Sequence, residues 1–151
     1  MDYGRILKQL REDNGLTQSD IASILGISRG LYSQYEIADK IIPIQHLNTL
    51  SNYFLVSIDY LLGFSNSKDN ANKKVLLDNS KIGIRLKEFR KENKLTQEKL
   101  ANILHTTHSV ISSYEKGKTL ILTSFLCVIC KKYNISADYL LGKIDNPKYL
   151  K

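Results

Sequence analysis

Tryptophan is absent from this 151-residue chain, and proline, cysteine and methionine are scarce at two, two and one. Two cysteines cannot build a disulfide framework, which makes a reducing cytoplasm the expected compartment. Few prolines and eight glycines, beside frequent Leu and Ile, argue for helices over a strand-and-turn architecture. No run of 18 apolar residues exists to span a membrane. The start, Met1-Asp2-Tyr3-Gly4-Arg5, lacks the basic, apolar and cleavage regions of a secretory signal. Neither membrane attachment nor export is therefore expected. There is also no glycine-rich phosphate loop, nucleophile elbow, His-Glu metalloprotease spacing or acidic metal cluster, so the chain does not read as an enzyme.

What the chain does contain is a copy of itself. A shift of 79 positions aligns Gly4 with Gly83 and Gly63 with Gly142 without a gap, and 22 of the 60 pairs are identical. Leu16-Thr17-Gln18 recurs as Leu95-Thr96-Gln97, and Asp59-Tyr60-Leu61-Leu62-Gly63 as Asp138-Tyr139-Leu140-Leu141-Gly142. A period this long marks a duplicated domain, not a solenoid unit. The expected organisation is a first domain over 1–65, a linker over 66–80, a second domain over 81–145 and a tail over 146–151. The linker is polar and small through Ser65–Asn72, which favours mobility. Its Val75-Leu76-Leu77 is apolar enough to dock on a domain.

Charge divides unevenly between the copies. Residues 1–66 hold 5 Lys+Arg against 7 Asp+Glu, residues 67–81 hold 4 against 2, and residues 82–151 hold 13 against 6. The second copy thus carries nearly all of the positive field that gives the chain its net +7. Such a field favours a polyanion partner.

Each copy reads as five short helices. Leu7 and Leu10 begin an apolar stripe that Asn14-Gly15 ends with a left-handed cap. Thr17 caps a second helix with Asp20 placed for a reciprocal bond, and Ser28 caps a third. The fourth starts near Pro43 and buries Leu47, Leu50 and Phe54, and Ser57 caps the fifth. The second and third helices carry the functional signal, in the order Gln18, Ala22, Gly26, Tyr32, Tyr35. A small residue at Ala22 permits a close crossing and Gly26 supplies a turn at positive φ. The tyrosines anchor a third helix that stays free to enter a major groove. The second copy repeats this with Gln97, Ala101, His105, Ile111 and Tyr114, His being among the non-glycine residues tolerated at positive φ.

Both copies resemble the lambda-repressor-like, Cro-type helix-turn-helix regulators. The first does so through Leu10-Arg11, Leu16-Thr17-Gln18, Gly26-Ile27-Ser28-Arg29 and Tyr35-Glu36. The second does so through Phe89-Arg90, Leu95-Thr96-Gln97 and Tyr114-Glu115-Lys116-Gly117-Lys118. The resemblance implies an all-α fold of two tandem five-helix domains and sequence-specific binding of double-stranded DNA, usually at two half-sites. It places Gln18 and Gln97 on the DNA backbone. It sets Arg29, Gly30, Ser33 and Gln34, with their counterparts His108, Ser109, Ser112 and Ser113, on the groove-facing side of the third helix. Lys40, Thr107, Lys116 and Lys118 complete the expected interface. Arg11 with Glu36, and Arg90 with Glu115, correspond to a structural ion pair tying the first helix to the third.

The chemistry of these side chains is unequal. Arg29 can donate two bonds to guanine and Gln34 can pair with adenine, each worth about 1–3 kcal/mol of base discrimination. The second copy offers weaker base readers but two lysines suited to phosphate, which positions without specifying. Where Lys116-Gly117-Lys118 stands, the first copy has Ile37-Ala38-Asp39, with Ile41 close behind. Ile37 and Ile41 are expected to be exposed and to mark a surface for a protein partner.

Other features have plainer readings. Cys127-x-x-Cys130 with His105-x-x-His108 has the spacing of a zinc site. Both cysteines, however, lie in the apolar run Phe125–Cys130, so they are expected to pack as small hydrophobes, with no metal and no cofactor. The paired tyrosines Tyr35, Tyr60, Tyr114 and Tyr139 read as core anchors, and His46 as a surface residue. The expected function is a cytoplasmic transcriptional repressor on operator DNA, with a homodimer compatible with the pattern. The alternative is a protein-interaction module, antitoxin or antirepressor, that uses the first domain to hold a partner.

Overall fold

The computed structural model describes residues 3–68 and 74–151; Met1, Asp2 and residues 69–73, in the expected mobile linker, lie outside them. Among the described residues the first copy forms α1 (Tyr3–Asp13), α2 (Gln18–Leu25), α3 (Arg29–Glu36), α4 (Ile44–Phe54) and α5 (Ile58–Leu61). The second forms α6 (Asn79–Glu92), α7 (Gln97–Ile103), α8 (His108–Glu115), α9 (Thr123–Tyr133) and α10 (Ala137–Leu140). The chain divides into two compact units, Met1–Lys74 and Val75–Leu150. The all-α reading, with five helices in each of two tandem copies, is what the chain adopts. No helix among the described residues is long and apolar enough to cross a membrane.

Local chemistry explains where the helices begin and end. Thr17 accepts from the Asp20 amide at 3.1 Å while the Asp20 carboxylate accepts from the Thr17 amide at 2.8 Å, the reciprocal cap the sequence predicts. That amide holds the Asp20 carboxyl below its ordinary pKa range. Ser28, Ser57, Thr96, Thr107 and Ser136 cap their helices with the side-chain half of this exchange, each accepting from the amide three residues on. Gly26 turns the chain at φ 68° and His105 takes the matching left-handed place at φ 57°.

The two cores are built from corresponding side chains. Leu7, Ile21, Ala22, Tyr35, Ile42, Leu47, Leu61 and Leu62 are buried, and so are Leu86, Leu100, Ala101, Tyr114, Ile121, Leu126, Leu140 and Leu141 in the second unit. Cys127 and Cys130 are buried and form no disulfide, in the places of the buried Asn48 and Ser51. Burial pushes the Cys127 thiol up to about 11, which keeps it protonated and inert. No cluster among the described residues could hold a metal ion.

Four expectations need correction. His46 is half-buried, its ring centroid 6.3 Å from that of Tyr35, and burial lowers its pKa; Phe125 holds the matching place, so it serves as aromatic filler. Phe54 is only half-buried, and within Val75-Leu76-Leu77 the middle residue is 89% exposed while its two neighbours are half-buried. Tyr60 and Tyr139 are half-buried, and the Arg85 guanidinium lies 4.2 Å from the Tyr139 ring.

The ends of the second unit are more structured than their composition implies. Asp78, inside the stretch read as linker, caps α6 by accepting from the Ser80 amide at 2.9 Å. In the stretch read as a tail, the Lys148 carbonyl accepts from the Ser136 amide at 2.8 Å and the Leu150 amide donates to the Asn134 carbonyl at 2.9 Å. Arg85 on α6 donates to the Tyr139 and Ile144 carbonyls and to the Asp145 carboxylate, and Lys148 pairs with Glu92. The first copy has Ile6 where Arg85 stands, so this clamp belongs to the second unit alone.

Lys143 is 4% exposed, and burial lowers its pKa to about 8, opposed by the nearby Asp138 carboxylate. A lysine depressed on folding binds fewer protons in the native than in the unfolded chain between about pH 8 and its ordinary value near 10.5. Stability should therefore rise with pH across that window, by at most about 3 kcal/mol. The buried Cys127 thiol, held up to about 11, opposes the rise above about pH 9, and the raised Tyr114 joins it once tyrosines in the unfolded chain ionise near pH 10. Denaturant midpoints of the full chain should climb from pH 8 to 9 and level off toward pH 10, and Lys143→Met should turn the climb into a decline.

Candidate nucleic-acid interface

The interface is built on two ion pairs. Arg11 on α1 donates from Nε to Glu36 Oε2 at 3.0 Å and from Nη2 to Oε1 at 2.9 Å, while Nη1 holds the Leu16 carbonyl at 3.0 Å. Arg90 repeats this on Glu115, Nε to Oε2 at 2.7 Å and Nη2 to Oε1 at 3.0 Å, with Nη1 on the Leu95 carbonyl at 2.9 Å. Each arginine thus fixes the last residue of the third helix and the turn before the second. The Glu36 and Glu115 side chains are only 2% and 4% exposed. Each carboxylate pushes its arginine's pKa up.

A close backbone contact sits beside each pair. A Cβ on Gly4 would lie 2.2 Å from the Glu36 carbonyl oxygen, and one on Gly83 2.5 Å and 2.6 Å from those of Tyr114 and Glu115. Only glycine lets the first helix come this near the third. Sequence reading uses both glycines to align the copies and misses this role, at which only their matched position hints.

With α8 so anchored, one side of it is open. His108, Ser109, Ser112, Ser113, Lys116 and Lys118 line a single depression of about 320 Å³. These are six of the residues expected at the interface. Lys116 and Lys118 make no ion pair among the described residues, whereas Lys81, Arg85 and Lys148 are engaged by Asp145 and Glu92. The Ser113 hydroxyl lies 2.9 Å from that of Thr119, a partner that sequence reading does not single out and that only the turn brings near. Thr107 is the cap of α8, accepting from the Val110 amide at 3.4 Å. Gln97 does not line the depression; its Nε2 donates to Glu115 Oε1 at 3.2 Å.

In the first unit Arg29 and Gly30 are exposed on the first turn of α3, Ser33, Gln34 and Gln18 are half-buried, and Lys40 is exposed. The turn after α3 differs chemically from its counterpart. Ile37 is 72% and Ile41 50% exposed, as expected, and Asp39 stands where Lys118 does. Ala38 adopts φ 59°, a left-handed conformation that costs a non-glycine residue about 1 kcal/mol or more, while Gly117 adopts φ 73° without that cost.

Gly30 separates folding from contact. Nothing lies within 4 Å of a Cβ built there, and its φ is unremarkable, so the fold does not require glycine. Gly30→Ala should raise the stability of the first unit by about 0.5 kcal/mol. It should weaken duplex binding several-fold wherever α3 meets a groove, which melting and binding measurements on one preparation would read.

Comparison with known proteins agrees with this arrangement. A model described as a helix-turn-helix domain matches residues 83–146, and a second, described as helix-turn-helix, matches residues 7–61. The uncharacterised HTH-type transcriptional regulator YqaE of Bacillus subtilis is 39% identical over 79 residues, 52% of this chain and 64% of its own. The antitoxin PezA of Streptococcus pneumoniae is 35% identical over 68 residues, 44% of this chain and 43% of its own. The chain thus spans less than two thirds of the length of either. The HTH-type transcriptional regulator ImmR of B. subtilis is 36% identical over 97 residues, 63% of this chain and 73% of its own. No solved structure matches the chain. With both units matched and nearly three quarters of ImmR covered, the chain belongs to the helix-turn-helix transcriptional regulators.

Proposed function

We propose that the protein is a sequence-specific double-stranded-DNA-binding regulator of transcription, acting as a repressor in the cytoplasm. The second unit supplies most of the affinity. Its α8 enters the major groove, with His108, Ser109, Ser112 and Ser113 toward the bases and Lys116 and Lys118 on phosphates. The observation that carries this reading is the single depression holding all six side chains, with its two lysines unpaired among the described residues. In the first unit, α3 reads bases through Arg29 and Gln34 beside Gly30 and Ser33, with Gln18 and Lys40 toward the backbone. Two half-sites about 34 Å apart suit two modules of one chain, and a homodimer would present four.

A second reading attaches to the first unit. Exposed Ile37 and Ile41 flank Asp39 where the second unit has lysines, which suits a protein partner better than phosphate. The similarity to an antitoxin favours it, as does the first copy's excess of carboxylates over cations.

Binding of the full chain to a random pool of duplexes, followed by sequencing of what is retained, tests the main reading. Enrichment of a sequence motif that disappears with Arg29→Ala supports base readout by α3. Retention that ignores Arg29→Ala but fails with Lys118→Ala assigns DNA to the second unit alone. Failure to retain any duplex overturns the proposal.

A further inference from the structure

Gln97 and Gln18 occupy matching first positions of α7 and α2, yet they are held differently. Gln97 Nε2 donates to Glu115 Oε1 at 3.2 Å, whereas Gln18 makes no side-chain hydrogen bond among the described residues. The difference lies in how each carboxylate is used. Arg11 Nε reaches both Glu36 oxygens, at 3.2 and 3.0 Å, and Nη2 takes Oε1 as well. Arg90 Nε takes only Oε2, which leaves Oε1 shared between Arg90 Nη2 and the glutamine.

The bond has one chemically allowed sense. A carboxylate only accepts, so the amide nitrogen must face Glu115, with one N–H committed and the second left to donate. A side chain frozen before binding does not lose that freedom on association, an advantage of roughly 2- to 10-fold in affinity. Glu115 does not repel the incoming phosphate, because Arg90 neutralises it within hydrogen-bonding distance.

We propose that Glu115 is a positioning residue of the DNA interface: through its hydrogen bond it presets the Gln97 amide to give its second N–H to a phosphate oxygen, an arrangement that the first unit leaves unset at Gln18. This rests on the DNA-binding reading above and gives the second unit a further source of affinity besides charge.

The test uses the full chain and a 30-base-pair duplex of random sequence, since phosphate contacts ignore sequence. In the free protein, nuclear magnetic resonance relaxation should show the Gln97 side-chain amide ordered and its protons slow to exchange with water, and the Gln18 amide mobile. Gln97→Ala should weaken binding about 5- to 10-fold at every salt concentration with an unchanged salt slope, because a neutral amide releases no counterion. Gln18→Ala should weaken binding severalfold less than Gln97→Ala does, because an unset amide gives up its freedom when it takes its phosphate. In a Glu115→Gln background, checked for folding by circular dichroism, Gln97→Ala should add less than about 2-fold. A Gln97 amide as mobile as that of Gln18, or equal losses from the two alanine variants, overturns the inference even if Glu115→Gln does not fold. Binding weakened by Lys118→Ala but indifferent to Gln97→Ala overturns it while leaving the DNA reading intact. No binding by the unaltered chain overturns both.

Discussion

Gly83→Ala is expected to unfold the second unit while leaving the first in place. Helix propensity alone argues the other way, since alanine is better than glycine in the interior of α6 by about 1 kcal/mol. The added carbon would meet the Tyr114 and Glu115 carbonyl oxygens at 2.5 and 2.6 Å, and these are backbone atoms that cannot rotate aside. Relief requires α6 and α8 to part, which also stretches the Arg90–Glu115 bonds across the same crossing. Overpacking costs typically about 1–3 kcal/mol, and a charge left poorly paired in the interior adds about 3 kcal/mol or more. The sum exceeds the propensity gain severalfold. Hydrogen exchange along the full chain should show protection lost from 79–142 and kept in 3–63. The same change at Gly30, where the carbon meets nothing, should have the opposite sign.

Reversing the two lysines of the α8 turn is the functional counterpart. Lys116→Glu with Lys118→Glu should lower duplex affinity on the order of 100-fold near physiological salt and reduce the salt slope by about 2, one unit for each phosphate no longer neutralised. Stability should move by less than about 1 kcal/mol, because both lysines are exposed or at a helix end and pair with nothing among the described residues. Anisotropy titrations with labelled duplex at several salt concentrations would measure both. The converse change, Ile37→Lys with Asp39→Lys, makes the first turn basic. If α3 lies on DNA it should steepen the slope by about 2; a first unit that holds a protein instead should release that partner and keep its slope.

The residues that line the α8 depression can be picked out along the sequence, and for a physical reason. His108, Ser109, Ser112 and Ser113 lie on α8 at spacings that helical geometry converts into a shared side, and Lys116 and Lys118 follow directly after it. The ion pairs are readable through resemblance, because Arg11 with Glu36 and Arg90 with Glu115 recur at the same separation. The less legible features depend on atoms far apart in the chain. His46 reads as a surface residue because nothing in its neighbourhood reveals the Tyr35 ring against it. Lys143 and Arg85 look like ordinary surface cations, yet one is buried and the other grips carbonyls more than 50 residues away.

The sequence by itself determined the duplication, the helix limits set by its caps and left-handed turns, and the family. Those properties come from neighbouring residues and from periodicity, both written along the chain. Tertiary structure alone decided which cations remain available to a partner, how near α6 comes to α8, and that Gln97 is tied down while Gln18 is not. These depend on distances of a few tenths of an ångström between segments distant in sequence, and no local pattern of residue types encodes them.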